Sequence, residues 1–345
     1  MRIPGLALGP SAFSRHGRRL AVLLLTVNPA VAFSPHSSAS RAAVLGGQNQ
    51  SGKRSSRVAA TARNPPTTKR VVLITGANKG IGKEIARKLG SMKDHTVVLG
   101  SRDEQLGAAA AAELQAAGCD AVSTRLDLTD GSSMEATRDF IEQEYGRLDV
   151  LVNNAAICFN DPTLYGKVEY TPFEQQADIT VQTNYFGTLA VTQTMLPLLR
   201  VSQSSPRIVI VASSAGRLRG SQAIQDALTS PTLDVPQLSS LMQDFVHAAE
   251  SGEHAQKGWP NTCYGVSKLG LIALTRVLAR EEPTVMVNAA DPGYCATDQN
   301  NNQGFISAEQ GAITPAALAY QQIGDGELVS GKLFYQLREI PWSYQ

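Results

Sequence analysis

From Arg70 onward, short apolar runs alternate with longer amphipathic stretches, and few folds accept that pattern. The runs are VVLIT (71–75), HTVVLGSR (95–102), AVSTRLDL (121–128), DVLVNNA (149–155), RIVIVASS (207–214) and VMVNAADPG (285–293). Helical stretches are expected between them over 81–90, 103–117, 132–146 and a long segment that includes 174–199, with another after Tyr264. A strand that is apolar on both faces must be covered on both faces. Strands alternating with helices therefore predict an α/β fold of the Rossmann type, a doubly wound parallel sheet. No repeat at solenoid or propeller spacing interrupts the pattern, so a single domain over 71–345 is expected.

Charge separates this body from what precedes it. The chain has 345 residues, 31 Lys and Arg, and 30 Asp and Glu. No acid occurs before Glu84, whereas 11 of the bases lie in the first 70 residues. The remainder holds 20 bases and all 30 acids, a net −10, which argues against a nucleic-acid-binding face. A mean hydropathy of −0.12 excludes a polytopic membrane protein. In the leader, a basic stretch, the apolar run Leu20 to Val27 and the small residues Ala30-Val31-Ala32 describe a signal peptide over 1–32. The run is shorter than the ~20 residues a bilayer span needs. Residues 33–70, rich in Ser, Ala, Arg and Lys, read as a transit-peptide-like segment. The tandem, with Phe33 at the new N-terminus, resembles the bipartite presequences of algae with secondary plastids. A plastid is expected, with the secretory pathway as the alternative. Four scattered cysteines, Cys119, Cys158, Cys263 and Cys295, form no disulfide framework.

The first strand runs directly into Thr75-Gly76-Ala77-Asn78-Lys79-Gly80-Ile81-Gly82, which opens a helix. Glycines there allow a tight turn and close approach of a pyrophosphate, and the helix N-terminus adds N–H donors. The spacing is G-x-x-x-G-x-G rather than the usual dinucleotide fingerprint. The end of the second strand bears on which dinucleotide binds. An acid there holds a ribose 2′-hydroxyl, whereas a 2′-phosphate needs cations. The strand ends Gly100-Ser101-Arg102; Arg102 offers a bidentate clamp and Lys79 a point charge. Asp103 is the competing feature, and the balance favours NADP(H) over NAD(H).

Tyr264-Gly265-Val266-Ser267-Lys268 puts a phenol and an ammonium at i and i+4, on one helix face. A phenol titrates near ~10, and a neighbouring cation favours its ionised form and makes it a better proton shuttle. Ser213-Ser214 ends a strand upstream, at the sheet edge where α/β ligands bind.

These residues carry a family resemblance. TGANKGIG (75–82), LDLTD (126–130), LDVLVNNAAI (148–157), QTNYFGT (182–188), IVIVASSAGR (208–217), GWPNTCYGVSK (258–268) and DPGYCATD (291–298) resemble, in order, the motifs of short-chain dehydrogenases/reductases. The segment before Tyr264 and NNNQG…EQGAITP (300–315) resemble the carbonyl reductases among them. The resemblance implies NADPH-dependent reduction of a small carbonyl compound. It makes Tyr264 the general acid, with Lys268 on the ribose and tuning Tyr264. Ser214 would bond the carbonyl, and Asn184 would hold a relay water. Asp127 and Leu128 would contact adenine, and Asn154 would lie against the cofactor. Pro292, Gly293, Tyr294 and Thr297 would position the nicotinamide. Two positions depart from the family: Ala156 where Gly is usual, and Asp291 where Asn or Cys is common.

Ser214 and Tyr264 are 50 residues apart, so 217–258 is an insertion. Leu238, Leu241, Met242, Phe245, Val246 and Ala249 form a helical apolar stripe, with Pro236 at its start. The stripe has two possible placements, over the substrate cleft or against the domain surface. In carbonyl reductases a similar segment covers the oligomerisation surface, so a monomer is expected. His247 and His254 read as surface residues, and no metal is expected. Cys158, Cys263 and Cys295 read as small buried hydrophobes rather than redox sensors. The competing readings are a plastid reductase of a 3-oxoacyl thioester or a tetrapyrrole precursor, and a non-catalytic NADPH-binding regulator.

Overall fold

The structure is a computed structural model that describes residues 68–159, 171–320 and 329–343. The leader segments at 1–32 and 33–67 lie outside the described residues. The strand β1 (Arg70–Thr75) already includes Arg70, and Lys69 pairs with Asp120 at 2.7 Å.

The chain continues through α1 (Gly80–Gly90), β2 (His95–Ser101), α2 (Glu104–Ala116), β3 (Ala121–Arg125), α3 (Gly131–Tyr145) and β4 (Val150–Asn153). After the undescribed 160–170 come α4 (Phe173–Val181), a π-helical turn (Gln182–Gly187), α5 (Thr188–Arg200) and β5 (Arg207–Val211). Next are a 3₁₀ turn (Ser214–Gly216), α6 (Gln222–Thr229), α7 (Val235–Glu250), α8 (Cys263–Glu281) and β6 (Met286–Asp291). The last elements are β7 (Cys295–Ala296), β8 (Ile306–Ser307), α9 (Ala308–Gly311), α10 (Ile313–Tyr320), β9 (Leu333–Tyr335) and β10 (Arg338–Ile340).

The sheet order is β10-β9-β6-β5-β4-β1-β2-β3. All its pairings are parallel except β10 on β9. The doubly wound expectation is met, and the covered strands explain the near-continuous apolar runs. Val71, Leu73, Leu151, Ile208 and Ile210 face one core; Val72, Ile74, Val152, Val209 and Val211 face the other. Chain order reverses between β1 and β4, which opens a crevice at their C-terminal ends.

Several predicted runs end early, and for two of them the local reason is clear. RIVIVASS leaves the sheet at Val211 because Ser213 caps a 3₁₀ turn, its Oγ accepting from the Ala215 N–H at 3.2 Å. AVSTRLDL leaves at Arg125, where Asp130 begins α3 by accepting from the Ser132 and Ser133 N–H groups. The long helix over 174–199 is real but interrupted by the π turn.

The insertion docks on the domain. Leu238, Met242, Phe245, Val246 and Ala249 are buried in the same core as α4 and α8, while Leu241 is only half-buried. Phe245 meets Phe173 edge-on at 6.3 Å and Trp259 at 5.5 Å. Met242 lies against Gly270 of α8, where any Cβ would collide with its side chain. Burying each such side chain contributes about 2 kcal/mol, which is why the stripe is spent on the core. No residue of 217–258 lines the cofactor-sized cavity described below.

Candidate active site

A cavity of about 370 Å³ occupies the crevice at the C-terminal ends of β1, β4, β5 and β6. It is the place that the topology reserves for a ligand. Its walls bring together Gly76, Asn78, Lys79, Gly80, Ile81, Arg102, Asp127, Leu128, Asn154, Pro292 and Thr297 with Tyr264 and Lys268. Sequence reasoning expected all of these at the site.

The Gly-rich turn is shaped by close approach. Gly76 and Gly80 have φ of +65° and +56°, a region that L side chains avoid. A Cβ on Gly82 would stand 2.5 Å from Asn154 Nδ2, so Gly82 seats α1 against β4 rather than lining the cavity. Asn154 and Thr75 hold this corner together. Asn154 Nδ2 donates to the carbonyls of Thr75 and Gly76 at 3.0 and 3.2 Å. Thr75 Oγ1 accepts from the Asn154 and Ala155 N–H groups. Ala156 lines the wall and is absent from the residues with left-handed φ, so its extra methyl brings no backbone strain.

The far wall separates the two bases. Arg102 is exposed at the end of β2 and has no ion pair among the described residues. Asp103 is already engaged, because its Oδ1 accepts from the Leu106 N–H at 2.9 Å and caps α2. Lys79 instead pairs with Asp298 at 3.1 Å across the cavity mouth. Arg102 is thus the base free to meet a phosphate, while Lys79 must exchange a partner to do so.

The reactive end is carried by α8. Thr262 caps that helix, and Tyr264 and Lys268 share a face with the ammonium 5.6 Å from the ring centroid. Lys268 is buried and donates to the Val211 carbonyl at 2.8 Å. Burial lowers it to about 8, against the opposing influence of Cys158 and Asp291. Gly216 lets the 3₁₀ turn rest on α8, since a Cβ there would lie 2.5 Å from the Lys268 carbonyl carbon. Trp342 Nε1 donates to the Gly216 carbonyl at 2.9 Å from the other end of the chain. Ser213 spends its hydroxyl on the turn; Ser214 is the exposed member of the pair.

Other expected residues lie behind or beside the cavity. Asn184 is fully buried in the π turn, a distortion that often marks functional sites. Its Oδ1 accepts from the Ile157 N–H at 2.8 Å, and its Nδ2 donates to Ile157 O and Ser267 Oγ at 2.9 and 3.0 Å. The side chain is committed to holding the loop after β4 against α8. Ser214, Gly293 and Tyr294 are outside the lining; the Tyr294 ring packs on Phe305 at 5.3 Å. Ile157, Thr183, Val211, Ala212, Asp298 and Gln299 line the cavity without having been singled out from sequence. Their neighbours in the chain carried the only signal.

Burial raises the Cys158 thiol, and pushes Cys263 and Cys295 up to about 12 and about 11. These shifts disfavour the thiolate, and Cys263 and Cys295 are buried as expected, whereas Cys158 is only partly buried. His254 stacks on Phe173 at 4.4 Å. Among the described residues no group of His, Cys, Asp and Glu is arranged to hold a metal ion, and no helix is long and apolar enough to cross a membrane.

The model of the short chain dehydrogenase family matches residues 70–225. Carbonyl reductase [NADPH] 1 of Bos taurus is 38% identical over 278 residues, covering 79% of this chain and 98% of the relative. The chain is a short-chain dehydrogenase. Carbonyl reductase [NADPH] 3 of Rattus norvegicus is 41% identical, covering 72% and 90%. Among solved structures, salutaridine reductase from Papaver somniferum is 31% identical with a TM-score of 0.69, covering 78% of this chain and all of that one. Menthone neomenthol reductase from Mentha piperita is 31% identical at 0.64, covering 78% and 99%. This short-chain dehydrogenase therefore spans its relatives nearly end to end.

Proposed function

We propose that the chain reduces a ketone, aldehyde or quinone to an alcohol with NADPH. The observation that carries this reading is one cavity joining the Gly-rich turn, Arg102, which has no ion pair among the described residues, and the Tyr264–Lys268 face of α8. The similarity to carbonyl reductases that use NADPH supports the same chemistry. The residues present fit the cofactor: the turn at 76–82 would receive the pyrophosphate and Arg102 the 2′-phosphate, and Asp127 and Leu128 would flank the adenine. Pro292 and Thr297 would frame the nicotinamide end, with Gly293 and Tyr294 in the same turn but beyond the cavity lining. NADPH, when bound, supplies the hydride.

The chain's own residues handle the proton and the geometry. Tyr264 gives its phenolic proton to the substrate oxygen, and Ser214 bonds the same oxygen. Lys268 holds the ribose hydroxyls and, as an ammonium near the ring, eases proton loss from Tyr264. Asn184 acts one layer back, as a positioning residue for the Ile157 wall. Raising the pH through the Lys268 transition near 8 removes the ammonium, so activity falls on the alkaline side.

NADPH consumption followed by absorbance, with quinones, aldehydes, cyclic ketones and acetoacetyl thioesters, tests the assignment. Turnover of quinones or ketones is expected; a chain that binds NADPH and reduces none of them is instead a regulator or a reductase of a specialised substrate outside the panel. The reading extends to a monomer, supported by the insertion buried on the domain, and a tetramer in light scattering contradicts it. It also extends to a plastid address in residues 1–70, supported by their composition alone. A reporter fused to them that is secreted instead excludes that address.

A further inference from the structure

Ser267 lies inside α8, between Val266 and Lys268, and is fully buried. Alanine is the better helix former at such a position, and a hydroxyl in a dry core is costly unless it is hydrogen-bonded. Here the donor and an acceptor lone pair are both used. The hydroxyl donates to the Tyr264 carbonyl at 2.8 Å, three residues back in the helix, and its Oγ accepts from Asn184 Nδ2 at 3.0 Å. A carbonyl only accepts, so the Ser267 proton is committed to Tyr264 and a lone pair is left for Asn184. The Asn184 amide is then fully spent. Nδ2 also donates to the Ile157 carbonyl at 2.9 Å, and Oδ1 accepts from the Ile157 N–H at 2.8 Å. A flipped amide would set acceptor against acceptor at the Ile157 carbonyl, so its orientation is fixed.

We propose that Ser267 is a positioning residue of the reductive site, its hydroxyl holding the cavity wall at Ile157 in register with the Tyr264 turn of α8. This rests on the carbonyl-reductase reading and adds a residue to it. Ile157 and Tyr264 both line the cavity. The path between them runs from Ile157 through Asn184 and Ser267 to the Tyr264 backbone, by hydrogen bonds of 2.8 to 3.0 Å. Asn184 and Ser267 are both closed to solvent, so water does not compete for these bonds. The loop after β4 is also fixed at Asn154 and Ala155, whose N–H groups donate to Thr75 Oγ1. Those bonds set the corner at the Gly-rich turn, whereas Ile157 depends on Asn184. Lys268 is held independently, by the Val211 carbonyl. Loss of the Ser267 hydroxyl therefore leaves Lys268 and the Gly-rich turn in place and loosens the spacing of Tyr264 against the Ile157 wall. The chemical step depends steeply on such spacing, and cofactor binding at the Gly-rich turn does not.

The test compares Ser267→Ala with Thr275→Val in the full-length chain, with NADPH and 1,4-naphthoquinone. Thr275 is likewise buried in α8, and its Oγ1 donates to the Leu271 carbonyl at 2.9 Å within the same helix. It therefore controls for the loss of a buried hydroxyl as such. In Ser267→Ala, kcat is expected to fall about tenfold while the KM for NADPH stays within about twofold. In Thr275→Val, kcat is expected within about twofold of wild type. The double variant Asn184→Ala/Ser267→Ala is expected within about twofold of Asn184→Ala alone, because both act through one path. Wild-type kcat in Ser267→Ala, an equal loss in Thr275→Val, or additive losses in the double variant each overturn the proposal. Should Ser267→Ala not fold, Ser267→Cys carries the test, since a thiol is a weak acceptor for Asn184 Nδ2. A kcat about threefold below wild type is then expected, and wild-type kcat overturns the proposal. Should the wild-type chain reduce no carbonyl, the carbonyl-reductase reading fails by itself. Hydrogen exchange at the Ile157 amide then decides the link without turnover: about tenfold faster in Ser267→Ala and unchanged in Thr275→Val is expected, and unchanged exchange in Ser267→Ala overturns it.

Discussion

Tyr264→Phe is expected to cut carbonyl turnover about 10³-fold while leaving NADPH affinity within about twofold. Phenylalanine preserves the ring, which is half-buried at the cavity wall beside Lys268, and removes only the O–H. No other described acid is placed to replace it. Lys268 is buried and held on Val211 O, the Cys158 thiol is pushed up by burial, and Asp291 is buried at the end of β6, outside the cavity lining. Single-turnover measurements with NADPH bound in advance separate the chemical step from binding. If the variant keeps more than a tenth of the wild-type rate, another group donates the proton, and the assignment of Tyr264 is wrong.

Arg102→Ala is expected to raise the KM for NADPH about 10- to 100-fold and to leave the KM for NADH nearly unchanged. The estimate follows from losing a charge-assisted pair worth about 1.5–3 kcal/mol. The side chain is exposed at the end of β2 with no ion pair among the described residues, so its removal leaves no buried group unpaired. Lys79 is a weaker substitute because Asp298 already engages it. Steady-state KM values for both cofactors decide the matter. A parallel loss with both would place Arg102 on a part of the cofactor that the two share.

Much of the site could be read along the chain because its residues occupy turns at strand ends. In a parallel sheet, consecutive strands end on the same edge, so Gly76–Gly82, Asn154, Ser214 and Pro292 had to converge once the strands were identified. The choice between Ser213 and Ser214 was also legible by motif. The structure adds the physical reason, since the first hydroxyl caps its own turn. Three expectations needed refinement because side-chain partners came from distant segments. The Asn184 amide is taken up by Ile157 and Ser267, Lys79 meets Asp298, and the insertion's stripe belongs to the core.

What the sequence determined by itself was the alternation of elements, hence the sheet, the edge on which a dinucleotide binds, and the i, i+4 pairing of Tyr264 with Lys268. These are local or periodic properties, governed by backbone geometry within a few residues. What only the tertiary structure decided was the environment of those groups. The Trp342 bond to Gly216 spans 126 residues, and the Asn184 bond to Ser267 spans 83. The Lys268 bond to the Val211 carbonyl likewise joins α8 to the end of β5 across 57 residues. Burial and counter-charge set the proton affinity of Lys268, and both depend on which surfaces pack together.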